Sequence, residues 1–281
     1  MRSPQEVAQA LALRTVNAWS SSFAGHDIGV PLGAVAALTL LQAGEQSPDQ
    51  LADHLIAAPD EEIADLLSRI WSFFTILRPE LAMRCGPFGK WLNEEPRGRP
   101  ELSGAAAVVR AAAQAGLFEV TIQREAEVDV LGHVHQELAS QRSKQGKGQF
   151  YTPTEVAEMM ARMSVSGVRP GQSICDPTAG TGGLLRAAAH AIRQEGGNPH
   201  DVWWYACDID PVAVAALAVN FHAWDLGPRV VVGCANVLTE GNWEVRARAE
   251  QLEAIEANDR RFQMARLFVA AQSLLGGSDG P

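Results

Sequence analysis

The sequence predicts an α/β protein: a helical N-terminal region, then a partial Rossmann-like parallel sheet, then a C-terminal helix. Three observations carry this. Over the first part of the chain apolar residues recur at helical spacing, beginning with Val7 to Trp19. Near residue 150 the character changes, and three short apolar runs alternate with helical stretches, the order of parallel βαβ units. From Glu244 to Leu275, Val245, Leu252, Ile255, Phe262, Leu267 and Val269 are interspersed with Arg and Glu, as in one or two helices.

Each element follows from local chemistry. Pro31 to Leu41 gives a second, alanine-rich helix after the Gly25-His26-Asp27 turn. Ser47 can cap a third, with Pro48 suited to its first turn. Pro59-Asp60-Glu61-Glu62 opens a fourth, which carries Ile63, Leu66, Leu67, Ile70, Trp71 and Phe74 on one face; acidic residues at that end favour the helix dipole. Residues 84–103 have loop or linker composition, with Gly86-Pro87, Pro96-Arg97-Gly98-Arg99-Pro100 and Ser103-Gly104. Helical periodicity returns over Ala105–Ala115 and Val128–Ser140. The strands are expected at Ser173–Cys175, Val202–Cys207 and Arg229–Val232, with helices at Gly183–Gln194 and Pro211–Trp224. The expected division is a helical region over 1–127, an α/β domain over 128–240 and a helical segment over 241–281.

Composition narrows the classes of function. Hydrophobic residues make up 47% and charged residues 20%, ordinary for a globular protein. No stretch approaches the ~20 apolar residues of a membrane span. The N-terminus lacks a signal-peptide core and cleavage site, so a cytoplasmic protein with no membrane partner is expected. Cys85, Cys175, Cys207 and Cys234 show no metal-ligand spacing. The last three fall on predicted strands, where a free cysteine behaves as a small buried hydrophobe. A net charge of −10 excludes an electrostatic DNA clamp, because non-specific DNA affinity comes from Lys and Arg neutralising phosphates. Any DNA contact is local or supplied by a partner.

Two blocks carry the chemistry. The first is Gly148-Gln149-Phe150-Tyr151-Thr152-Pro153. The second is Asp176-Pro177-Thr178-Ala179-Gly180-Thr181-Gly182-Gly183, placed where a strand ends and a helix begins. A glycine turn there admits close backbone approach of a nucleoside ligand. The order is not G-x-G-x-x-G, and no Lys-Ser/Thr pair follows as in a phosphate-binding loop. Asp176 can order the loop or meet a cationic amino group. Asp208 ends the second strand, placed to accept both hydroxyls of a ribose or, alternatively, to cap the helix that follows. Asp210, next to Pro211, reads as a helix cap. Asn236, after the third strand, can hydrogen-bond an adenine edge or serve as a turn residue. His133 and His135, two apart on a helix, point to different faces and cannot chelate jointly; both are expected partly exposed. Trp203-Trp204-Tyr205 sits in a predicted strand, so core packing is expected over base stacking.

These blocks resemble the S-adenosylmethionine site of adenine-N6 DNA methyltransferases, particularly the modification subunits of type I restriction systems. The resemblance covers about Val130 to Leu238. It includes the helix Val130–Leu138, the basic run Arg142-Ser143-Lys144-Gln145-Gly146-Lys147, the Phe-Tyr-Thr-Pro block, the glycine turn and Asp208. It implies a methyltransferase sheet with S-adenosyl-L-methionine as cofactor. The implied cofactor-binding residues are Phe150, Tyr151, Thr152, Pro153, Asp176, Ala179, Gly180, Thr181, Gly182, Asp208, Ile209 and Asn236. Tyr151 and Thr152 would lie near the methionyl carboxylate. No metal ligand is implied.

That family also carries an Asn/Asp-Pro-Pro-Tyr/Phe loop that holds the flipped adenine. Residues 1–281 contain no Pro-Pro, so no catalytic residue is assigned. Three strands are readable where the family sheet has seven, which leaves the first strand as an edge. The N-terminal helices, the C-terminal helix, or a second polypeptide or chain copy are expected to cover it. The resemblance thus implies a DNA methyltransferase-like protein that reaches DNA through a partner subunit. The alternative is a non-catalytic cofactor-binding or assembly protein derived from the same family.

Overall fold

The computed structural model describes residues 4–22, 25, 27–41, 47–93, 99–122, 128–143 and 152–275. Helices α1 (Pro4–Ser22), α2 (Gly29–Thr39), α3 (Pro48–Ala57), α4 (Asp60–Leu77), α5 (Pro79–Ala82) and α6 (Gly86–Gly89) are followed by a 3-10 turn at Lys90–Asn93, then α7 (Arg99–Gln114) and α8 (Leu117–Ile122). Helices α9 (Val130–Ser143) and α10 (Thr154–Val165) lead into β1 (Ser173–Asp176), α11 (Gly183–Gln194), β2 (Trp203–Asp208), α12 (Pro211–Ala223), β3 (Val230–Cys234) and α13 (Trp243–Leu275). The α/β class and the C-terminal helix are as the sequence predicts.

Local chemistry sets the helix starts. A capping box opens α3: Ser47 Oγ accepts from the Gln50 amide at 3.2 Å, and Gln50 Oε1 accepts from the Ser47 amide at 2.9 Å. Asp60, Glu61 and Glu62 fill the first turn of α4, which buries Ile63, Ala64, Leu67, Ile70 and Phe74. Asp210 caps α12 by accepting from the Val212 amide at 2.9 Å, as expected.

The loop predicted over residues 84–103 is instead largely helical turn where it is described. Phe88, Trp91 and Leu92 are buried and anchor it to the core. Phe88 packs directly on Gly33 of α2, where an added Cβ would stand 2.7 Å from the Phe88 Cβ. Gly and Pro at helix starts, not linker composition, explain the sequence there. Residues 94–98 lie outside the described residues.

The three strands form one parallel sheet in the order β1-β2-β3, with Ser173 opposite Trp203 and Trp204 opposite Val230. One face carries Ile174, Trp204, Ala206, Val230 and Val232. It joins α11, α12 and the N-terminal helices in a single continuous core. The other face packs Tyr205, Cys207 and Val231 against Trp243 and Ala247 of α13.

Alternation along β2 corrects the reading of its aromatic run. Trp204 is fully buried, and its indole donates to the Pro199 carbonyl at 2.9 Å. Trp203 and Tyr205 point to the opposite face, only half-buried, with their rings 6.3 Å apart and the Arg248 guanidinium 5.0 Å above Trp203.

Helix α13, about 50 Å long at 1.5 Å per residue, is held to the body over its first half. Arg84 pairs with Glu250 at 2.5 Å and donates to the Val232 carbonyl; Gln251 and Asn258 donate to the carbonyls of Glu80 and Ile76. Beyond Asn258 the helix stands clear, leaving Phe262, Leu267, Phe268 and Val269 exposed. No described helix is long and apolar enough to cross a membrane.

Helix α13 covers β3 and β2 but stops short of β1. Ser173 and Cys175 are exposed, and β1 pairs with β2 alone among the described residues. Among the described residues, the helices therefore leave the outer face of β1, at Ser173 and Cys175, uncovered. Cys175 departs from the expected burial for the same reason; Cys207 and Cys85 are buried.

Candidate functional site

A cleft opens at the C-terminal ends of β1 and β2, between the glycine turn, α9 and α10. Its walls include Asp129, His133, Gln136, Thr152, Thr154, Asp176, Ala179, Gly180, Thr181, Leu184, Arg186 and Asp208. Parallel strands place ligand chemistry at this end.

The floor is built by backbone geometry that only glycine adopts freely. Gly180 and Gly182 have φ of 55° and 98°. The turn is held to the neighbouring strand by the Ala179 amide donating to the Cys207 carbonyl at 2.8 Å, and by the Gly180 amide donating to Asp208 Oδ2 at 2.8 Å. At Gly182 the constraint is steric as well, since an added Cβ would stand 2.7 Å from Leu217 Cδ1. Gly182→Ala is therefore expected to cost roughly 1–3 kcal/mol, the range for a strained backbone position. Chemical denaturation would register the loss; an unchanged midpoint would show that α12 yields freely.

Asp176 is the most telling side chain. Its Oδ1 accepts from the Thr178 amide at 3.0 Å, while its buried Oδ2 has no hydrogen-bond partner among the described residues. Burial raises its pKa above the usual carboxylate value, the nearby Asp208 adds to the rise, and the Thr178 amide offsets part of it. A buried acceptor without a partner is costly unless a ligand donor meets it.

Asp208 accepts two backbone amides, from Gly180 to Oδ2 and from Asp210 to Oδ1 at 2.9 Å. It orders the turn in addition to facing the cleft. Asp208→Ala would disturb the loop itself, so Asp208→Asn is the cleaner probe.

A second polar group lies at the α9 side. Asp129 Oδ1 accepts from the Gly132 amide at 2.8 Å and from Asn220 Nδ2 at 3.1 Å; Thr181 Oγ donates to Oδ2 at 3.4 Å. Asn220 also donates to the Thr181 carbonyl at 2.9 Å, joining α9, α12 and the glycine turn. Burial raises the Asp129 pKa, and burial lowers that of His133, whose ring meets Gln5 of α1 at 3.1 Å. Arg186, on α11, is 4% exposed and stands 3.6 Å from Glu158 of α10.

Six of the twelve sequence-predicted residues line this cleft: Thr152, Asp176, Ala179, Gly180, Thr181 and Asp208. Pro153 and Gly182 are the N-caps of α10 and α11, at its border. Ile209 is 65% exposed just beyond β2. Asn236 sits in the turn after β3, its Oδ1 accepting from the Leu238 amide at 3.1 Å, and it is not part of this wall. Phe150 and Tyr151 lie outside the described residues.

The structure adds Asp129, His133, Gln136 and Arg186. Only Asp129 left a local signal, as an acid three residues before Gly132 at a helix start. His135, expected partly exposed, is fully buried and lies 3.5 Å from Asp210, because α9 is packed on several sides. No metal-binding group of His, Cys, Asp and Glu occurs among the described residues.

Comparison with known proteins gives three findings. The family model described as N-6 DNA Methylase matches residues 126–264. Comparison with curated proteins gives no match. Among solved structures, the chain is similar to the type I restriction-modification system methyltransferase subunit from Streptococcus thermophilus, with a TM-score of 0.48 and 19% identity; the match covers 84% of this chain and 59% of that one. The chain thus spans less than two thirds of that subunit. The matched segment contains the glycine turn, both strand-end carboxylates and α9. Residues 126–264, just under half of the chain, are similar to the N-6 DNA methylase family.

Proposed function

We propose that the cleft at the ends of β1 and β2 binds S-adenosyl-L-methionine and forms the cofactor side of an adenine-N6 DNA methyltransferase of the type I modification-subunit kind. The observation that carries this reading is the buried, unpartnered Oδ2 of Asp176, in a cleft whose other strand-end carboxylate is Asp208. A cationic α-amino group fits Asp176, and ribose hydroxyls fit Asp208. Ala179, Gly180 and Thr181 shape the floor and Thr152 and Pro153 the border; Phe150 and Tyr151, of the preceding block, belong to the proposed cofactor-binding set. Ile209 and Asn236 would meet the adenine end. The bound cofactor supplies an electrophilic methyl group. This chain's residues hold its amino-acid and nucleoside parts in line with an acceptor, and catalysis of this kind is largely positioning.

In this reading residues 1–127, 128–240 and 241–281 serve as helical support, cofactor domain and helical extension of a cytoplasmic protein. The adenine side requires an Asn-Pro-Pro-Tyr-type loop, carried in cis or in trans, and DNA is reached through a partner subunit. A polypeptide or a second copy laid along β1 would also protect its edge. A second reading, a non-catalytic cofactor-binding or assembly protein, is favoured by the absence of Pro-Pro within residues 1–281.

Calorimetric titration with S-adenosylmethionine and with NAD tests the first claim: binding of the former alone is expected, and binding of NAD alone would overturn it. Transfer of a labelled methyl group to DNA, with and without a candidate partner, separates the two readings. Transfer under either condition supports the enzyme; cofactor binding with no transfer under both supports the assembly protein.

A further inference from the structure

Beyond Asn258 the helix α13 stands clear of the body, and one side of it is complementary to itself. We propose that this side is a homodimer contact, in which two copies of the chain pair their α13 helices antiparallel about a twofold axis at Phe262. Nothing in this contact depends on the ligand of the cleft.

Ile255, Asp259, Phe262, Arg266 and Val269 follow one another at steps of four, three, four and three, so they share one side of the helix. All five are exposed, Ile255 by 36%, Phe262 by 47% and Val269 by 64%. The row has a centre at Phe262. An acid precedes it and a base follows it by one turn, and Ile255 and Val269 stand two turns to either side. A second copy turned end for end about Phe262 therefore sets Phe262 on Phe262, Asp259 on Arg266 and Ile255 on Val269. The last two pairs occur twice by symmetry.

Charge selects this partner and this direction. Arg260 already pairs with Glu256 along its own helix at 3.5 Å. Asp259 and Arg266 have no side-chain hydrogen bond or ion pair among the described residues. Parallel pairing would set acid on acid and base on base, which antiparallel pairing avoids. A foreign helix would have to carry the reversed order of charges; a second copy carries it by symmetry. Met264, Leu267 and Phe268 lie on the other side of the helix and take no part. The row is about 21 Å long at 1.5 Å per residue, a small contact, so dimerisation is expected in the micromolar range.

Sedimentation equilibrium on the full chain across micromolar concentrations tests this. Wild type is expected to pass from one chain to two and to stop there, as a closed twofold contact does. Asp259→Arg and Arg266→Asp should each weaken the dimer by on the order of 10-fold, since each turns two attractive pairs into repulsive ones. The double variant Asp259→Arg with Arg266→Asp should restore it, an outcome that damage to the fold would not give. Phe262→Ala, at the axis, should weaken it by on the order of 100-fold, and Phe268→Ala should leave it unchanged. A wild type that stays monomeric, or whose mass rises past two chains, overturns the proposal. So do single charge variants that associate as wild type does, a double variant that stays as weak as either single one, and a dimer lost with Phe268→Ala.

Discussion

Asp176→Asn is expected to make the free protein more stable while weakening S-adenosylmethionine binding by on the order of 100-fold. Both effects have one cause. In the free protein the buried Oδ2 lacks a donor, and burial together with Asp208 raises the carboxyl's pKa. A carboxyl whose folded pKa is raised favours folding below the ordinary carboxylate range. That contribution is lost as pH rises through the folded value, where the ionised form must be held in place. Asparagine removes the charge and keeps the oxygen that accepts from Thr178. Relief of one poorly solvated charge is worth roughly 1–3 kcal/mol, or an increase in Tm of a few degrees, about 2–4 °C per kcal/mol for a chain of this size. The ligand's ammonium reverses the balance by favouring the ionised carboxylate. Affinity of wild type should therefore fall as pH drops through the free-state pKa of Asp176, and binding in that window should release a proton. Thermal melts with and without ligand across pH measure both signs. A destabilised free variant, or wild-type affinity independent of pH through that window, would count against the assignment.

The second large effect separates two adjacent tryptophans. Trp204→Ala is expected to cost roughly 3–5 kcal/mol, because a fully buried indole and its hydrogen bond to Pro199 are lost together and a cavity remains. Trp203→Ala should cost far less. Its ring is half-buried beneath Arg248, where a cation–π contact contributes about 0.5–1 kcal/mol. Urea denaturation of the two variants checks the contrast directly. Equal losses would mean that α13 packs on the outer face more tightly than the half-buried side chains indicate.

This contrast shows what the sequence could and could not carry. The α11 and α12 starts and the three strands were legible because glycine turns, caps and short apolar runs are local signals. The glycine turn and Asp208 were legible for the same reason, and the structure brings them together at one end of the sheet. Helix α10 was not read, since the apolar face it buries amounts to little more than Ala157, Ala161 and Val165. The position of Asp129 before Gly132 marks it as a helix-start acid but not as a cleft residue, and nothing local distinguishes Arg186, a lone arginine among alanines. Only the packing of α9 and α11 around the glycine turn brings both to the cleft. Likewise His135 is buried and Cys175 exposed because of what α1, α12 and α13 do or do not cover, which periodicity within one element does not encode.

The residues that match the family model include the cleft at the ends of β1 and β2, and the central claim is that cofactor binds there. One calorimetric titration tests it most directly: S-adenosylmethionine into wild type and into Asp176→Asn, at neutral pH, on the full chain. The account expects binding at one site per chain in wild type and a loss on the order of 100-fold in the variant. Equal affinity in both proteins, or no binding to a folded wild type, would contradict it.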